Sequence, residues 1–267
     1  KNYRISIFKI NKFLLADQVK YCFPIGAARL VGEVSKKADK FILISLLSPA
    51  VYSTYSIAYF GIPIITLLIS SITQVVIPKM ALNHKYKKEL EIKNLWHKVI
   101  CQYALIVIPI ICLFEVLARD IIVILFTNEY IDSVVLYQIF LLSVFLQILA
   151  PSVVLRSVKK TKVIFYSHFL SAITAIVCGY FLIKSHGMVG GAISFILASA
   201  TRTVVQIVAI KKILILKFTE LIPWFFIFRV ASVSIFSSLL VIILPISSDI
   251  VLISAAVTSL LYLVSVV

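Results

Sequence analysis

The 267-residue chain is 61% hydrophobic, with a mean hydropathy of +1.09 and a formal net charge of +15. That is more apolar surface than a soluble domain of this size buries, so the chain reads as a polytopic membrane protein. The charges lie largely in loops between apolar runs, which excludes the nucleic-acid partner that +15 would suggest in a soluble protein.

Residues 1–12 (KNYRISIFKINK) hold four cations and no acid, a basic juxtamembrane segment. An amphipathic lead-in over 13–21 carries Asp17 and Lys20 and is expected to lie at the interface. The next stretch, 23–47 (FPIGAARLVGEVSKKADKFILISLL), opens and closes as membrane helix but is charged in the middle. At about 100° per residue, Arg29, Lys36, Lys40, Glu33 and Lys37 share an arc about 100° wide, with Asp39 at its edge. Charges at membrane depth face a bundle interior or a hydrated path. This stripe therefore predicts a cavity that holds an anion. Reading GEVSKKADK as a basic loop is the competing possibility, but it leaves FILISLL too short to span the roughly 30 Å of hydrocarbon. Arg29–Glu33 and Glu33–Lys37 are also i,i+4 pairs, which neutralise only part of the stripe.

A second span is expected over 52–77, bounded by Pro78-Lys79, followed by a basic connection, 79–98, with Trp96 as an interfacial anchor. The third span covers 99–117. A short amphipathic helix and acidic loop (ARDIIVILFTNEYIDS) leads to the fourth, 134–155. The fifth and sixth run over 163–183 and 188–210, with Gly187 and Gly191 spaced for close helix approach. A seventh covers 221–244 and an eighth 250–267. Pro24, Pro63, Pro109 and Pro151 lie within or near spans, where proline bends a helix. Alternate connections (1–12, 79–98, 156–162, 211–220) hold 17 Lys and Arg, while the opposite set holds only Arg119 and Lys184. This asymmetry predicts a cytoplasmic N-terminal segment in a multi-pass cell-membrane protein. The chain starts at Lys1 and is expected to be the C-terminal part of a longer protein.

Cys22, Cys101, Cys112 and Cys178 lie in apolar runs without metal-like spacing and are expected to be buried thiols. His84, His97 and His186 fall in connections, and His168 within a span reads first as a packing residue. Glu115, near a span end, is expected to snorkel. Nucleophile–base and metal motifs are missing, so neither enzyme nor metal cofactor is expected. Arg202 and Arg229, both inside spans, are secondary candidates for substrate binding beside the stripe.

Several short motifs occur in order: Pro24 followed by Asp39-Lys40-Phe41-Ile42-Leu43-Ile44-Ser45, then Tyr55–Ala58 with Ile62-Pro63, and Val76–Lys79. Leu125-Phe126 with Glu129-Tyr130 and Ser133, Lys160–Lys162, and Gly187–Ala192 follow. In this order they resemble the polysaccharide or oligosaccharide-lipid flippases of bacterial surface glycan synthesis (Wzx-type). That superfamily includes the lipid II flippase and the multidrug and toxic compound extrusion transporters. The resemblance implies an all-α bundle in which 1–212 form the second six-helix lobe of a two-lobe transporter. Residues 213–267 would add a helix pair, and the first lobe would precede this chain. It further implies alternating-access transfer of an undecaprenyl-pyrophosphate-linked oligosaccharide to the outer leaflet, driven by a proton or sodium gradient or the membrane potential. Arg29, Lys36, Lys37 and Lys40 would bind the pyrophosphate, with Glu33 and Asp39 tuning them. The implied partners are the lipid-linked oligosaccharide, the bilayer, the first lobe, and glycan polymerases and glycosyltransferases. A cation-coupled drug exporter is the alternative in the same class, and it would favour carboxylates over a cationic stripe. A membrane polymerase or transferase would need a large outer loop, and a non-transporting scaffold would need only the basic loops.

Overall fold

The computed structural model describes residues 12–60, 62–215 and 218–243, all of whose regular elements are helical. The first eleven residues and the expected eighth span lie outside the described residues, as do the side chains of Lys36 and Asp39.

Helix α1 (Lys12–Leu46) is continuous through Pro24 and the whole charged stripe, about 52 Å long at 1.5 Å per residue. The lead-in is thus the first part of this helix. The expected second span is instead two helices, α2 (Pro49–Ala58) and α3 (Ile62–Lys85). A uniformly apolar run hides this break, where the chain leaves helical geometry at Tyr59 and Phe60 and Pro63 follows in the first turn of α3. Helix α3 continues past Pro78, and α4 (Glu89–Val116) starts soon after, so the 79–98 connection is mostly helical. Helix α5 (Ala118–Phe126) matches the expected amphipathic segment and exposes Ile124 and Leu125.

The expected fourth span is also divided. Helix α6 (Ser133–Phe145) tightens into a 3₁₀ turn over Leu146–Leu149, and α7 (Pro151–Ser157) follows. Ala150 stands between them at φ 43°, a left-handed conformation unusual for a residue with a Cβ. The fifth and sixth spans are two arms of α8 (Thr161–Leu214), reversed at Gly187, whose φ 58°, ψ −134° suits glycine alone. Beyond lie the single turn α9 (Phe218–Leu221) and α10 (Trp224–Ile243). By length and composition α4, Ser133–Ser157 and α8 can cross a membrane. Together they make this a multi-pass membrane protein.

The arms of α8 pack through small residues. Ser167, Ser171, Ala175 and Gly179, four apart, are all buried on one arm, and Gly191, Ser194 and Ala198 are buried on the other. The Ser171 hydroxyl donates to the Ala198 carbonyl across the seam at 2.8 Å. Small side chains let backbones approach, the source of helix association when lipid removes the hydrophobic drive. Helix α1 lies along α8, α10 lies against α4, and α3 contacts both α4 and α7. The core is aromatic: Tyr55, Trp96, Tyr103, Tyr137 and Phe140 are essentially inaccessible.

Two expectations change here. Trp96 is not an interfacial anchor but is 0% exposed, and its indole N–H donates to the Leu149 carbonyl at 2.9 Å. The α6–α7 break leaves that carbonyl without a helical partner, and a buried carbonyl needs a donor. The cysteines are not buried either: Cys22 is exposed and the other three are half-buried.

Candidate functional site

A cavity of about 590 Å³ opens between α1, the two helix breaks and α8. Helix α1 contributes Glu33, Lys37 and Lys40, which at spacings of four and three share one face. The break after α2 contributes Tyr59. Gln147, Ala150, Pro151, Ser152 and Val153 come from the α6–α7 break, and Arg156 from the last turn of α7. Helix α8 lines the far side with His168 on one arm and Phe195, Ser199, Arg202, Thr203 and Gln206 on the other. Thr73 and Tyr103 complete the wall. Four cations, Lys37, Lys40, Arg156 and Arg202, thus face one carboxylate, Glu33.

Local structure holds these groups in place. Gly32 lets His168 approach so closely that a Cβ there would meet Nδ1 at 2.7 Å. Gln206 donates from Nε2 to Ser167 Oγ at 2.8 Å, fixing one amide at the wall and linking the arms. The Tyr21 hydroxyl donates to the Arg156 carbonyl at 3.1 Å, tying α1 to the end of α7. Arg202 sits about 18 Å along its arm from Leu214, well inside the span. The Lys40 ammonium lies 5.2 Å from the centroid of the Tyr59 ring. Tyr59 meets Phe140 and Phe195 edge-on at 5.4 and 5.7 Å, and Phe140 meets Phe195 and Tyr55 at 5.4 and 5.2 Å. This aromatic cluster stops the cavity toward the α2 end of the bundle.

Among the stripe residues, Glu33, Lys37 and Lys40 line the cavity. Arg29 is exposed and does not, since the lining on α1 stops at Glu33 one turn later. Arg202 lines it, whereas Arg229 on α10 is exposed elsewhere. Sequence reasoning counted Arg156 as a loop charge and passed over the polar wall. Ser199, Arg202, Thr203 and Gln206 recur at i, i+3, i+4 and i+7 within an apolar run, and that pattern was the available signal. Glu115 does not snorkel: its Oε1 is buried and has no hydrogen-bond partner. No group of three or more potential metal ligands occurs among the described residues.

The family model described as polysaccharide biosynthesis protein matches residues 2–135, half the chain. The chain belongs to the polysaccharide biosynthesis protein family. The matched part runs from α1 into the start of α6 and carries Glu33, Lys37, Lys40, Tyr59, Thr73 and Tyr103 of the cavity. Arg156 and the α8 wall lie beyond it. The fold is shared with a solved structure, "Lipid II flippase MurJ, inward closed conformation", at a TM-score of 0.75 and 14% identity. That match covers 93% of this chain but 54% of the flippase, so the chain spans about half its length. No curated protein matches.

Proposed function

We propose that this family member is the second lobe of a flippase that carries an undecaprenyl-pyrophosphate-linked oligosaccharide from the cytoplasmic to the outer leaflet of the cell membrane. The observation that carries the reading is the excess of cations, four against one carboxylate, in a cavity walled in part by helices long and apolar enough to cross a membrane. Moving a pyrophosphate through hydrocarbon requires replacing its hydration, and charge-assisted hydrogen bonds from Lys37, Lys40, Arg156 and Arg202 do so. Glu33 keeps the empty site from accumulating unopposed charge. Ser199, Thr203, Gln147 and Gln206 offer donors and acceptors to sugar hydroxyls, and Tyr59 and Phe195 offer flat faces to sugar C–H groups. The lipid tail stays in the bilayer, so the work is one of solvation and passage, and the protein acts as a carrier and not an enzyme.

The basic connections orient the N-terminal segment and Arg156 toward the cytoplasm. The cavity would then load from the cytoplasmic side with its outer end closed by the aromatic cluster. In this reading residues 1–212 form the lobe and 213–267 an added helix pair, with another lobe closing the open side of the cavity. The match of this chain to about half the length of a lipid II flippase supports that arrangement. The glycan's own assembly enzymes would supply the substrate, and an ion gradient or the membrane potential would drive the cycle.

The test measures surface glycan and protein abundance together in cells that depend on this protein. Lys37→Gln, Lys40→Gln and Arg202→Gln are each expected to reduce export at least tenfold at normal abundance, about the loss of one charge-assisted contact. Normal export in all three would remove the cavity from the mechanism. Export falling only in proportion to abundance would make these residues structural.

A further inference from the structure

The same side chain, Tyr59, belongs both to the cavity wall and to the aromatic cluster that stops it. Its ring carries the Lys40 ammonium over one face while its edge contacts involve Phe140 and Phe195. Tyr59 also sits at the break between α2 and α3, where the backbone leaves helical geometry and a small rotation displaces the ring without unwinding a helix. One turn before Tyr59 on α2, the Ser56 hydroxyl is buried without a hydrogen-bond partner.

We infer that Tyr59 is the positioning residue that couples occupancy of the anion site to opening of the α2 end of the bundle, with Lys40 as its latch; this rests on the cavity binding an anion as proposed above. An aromatic face is negative and attracts an ammonium. With the site empty, the Lys40 ammonium rests over the Tyr59 ring and holds it against Phe140 and Phe195. A phosphate group on Lys40 neutralises the ammonium and brings negative charge toward a negative face. The attraction is lost, the ring is released, and the cluster parts. The ligand can shift the equilibrium only through this difference in interaction between the two states, and the contact supplies one. The latch therefore keeps the outer end shut in the empty carrier, where opening would leak ions.

The experiment uses the intact protein in lipid nanodiscs, with Cys22, Cys101, Cys112 and Cys178 replaced by serine and Ser56→Cys as reporter for a charged thiol reagent. Inorganic pyrophosphate is the probe. It should raise the labelling rate at position 56 by about two- to fivefold, the range of one cation–π contact. Lys40→Gln and Tyr59→Leu should each raise the rate without pyrophosphate by a similar factor and abolish the response. Adding Lys40→Gln to Tyr59→Leu should raise the rate no further, because without the ring the ammonium has nothing to hold, and Tyr59→Leu, which also loses the contacts to Phe140 and Phe195, sets the upper bound. Tyr59→Phe, which keeps the aromatic face, should retain slow labelling and the response. Additive effects, or Tyr59→Leu with normal basal rate and response, would overturn the inference. A second reporter, Ser152→Cys in the cavity wall, separates the two readings. Protection there by pyrophosphate with no change at position 56 sinks the latch and leaves the proposed function standing. No protection at 152 sinks the anion site and, with no ligand to release Lys40 from the ring, overturns this inference as well.

Discussion

The α4–α6 side of the bundle and the α1–α8 side are built from the same kinds of helix and behave as opposites. Around α4 and α6 the interior is closed by Trp96, Tyr103, Tyr137 and Phe140, none more than 1% exposed. Between α1 and α8 the helices enclose a 590 Å³ cavity with charged and hydroxyl-bearing walls. The border between the two is where helices break, at Tyr59 and over Leu146–Ala150. Breaks free backbone groups, and such groups are tolerated at membrane depth only inside protein or beside a water-filled space. The cavity therefore lies where the broken helices need a polar surround.

Substitutions on the two sides should separate stability from transport. The largest loss of stability should come from Phe140→Ala, about 3–5 kcal/mol because the side chain fills the centre of the aromatic cluster. Reversible unfolding in mixed micelles would measure it, and a loss below 1 kcal/mol would deny that the cluster is core. Gly190→Ala should cost about 1–3 kcal/mol, since the Leu182 carbonyl leaves no room for a Cβ. It should also slow assembly of the α8 arms, read as protease sensitivity near the Gly187 reversal. Trp96→Phe keeps the ring but strands the Leu149 carbonyl, for about 1–2 kcal/mol. Its signature is faster hydrogen exchange confined to the 146–153 segment, which a mere packing defect would not produce. The smallest effect should be that of Lys37→Gln, within about 0.5 kcal/mol of the parent because the residue is exposed to the cavity. That variant should nevertheless lose export. If it unfolds instead, the division between the two regions is wrong.

Much of this division could be read from residue types, and its failures have physical causes. The charges from Arg29 to Lys40 were legible because five of them fall on one helical arc, and the helix proves continuous through Pro24. The break at Tyr59 and Phe60 was not legible, because apolar residues on either side give the same hydropathy whether the helix continues or stops. Ala150 at φ 43° was equally hidden, since no glycine marks the turn and the Trp96 donor that stabilises it lies far away in the chain. Arg156 was misjudged because position along the chain, not direction of the side chain, was all that a loop count could use. Arg29 failed in the reverse way: its angle on the helix is right, but the cavity ends a turn beyond it. Periodicity sets which face a residue occupies and says nothing of how far along the helix that face is covered.

The seam of small residues down α8 has a consequence for how the protein is made. Arg202 would cost about 2.5–3.5 kcal/mol to place at the centre of a bilayer on a solitary helix. Ser167 and Ser171 on the preceding arm, with Gln206 reaching back to Ser167, give the arm that carries it a polar neighbour from the moment the Gly187 reversal forms. The two arms are therefore suited to leave the insertion machinery as a zipped hairpin, the first half chaperoning the second, before α1 arrives to cover the seam.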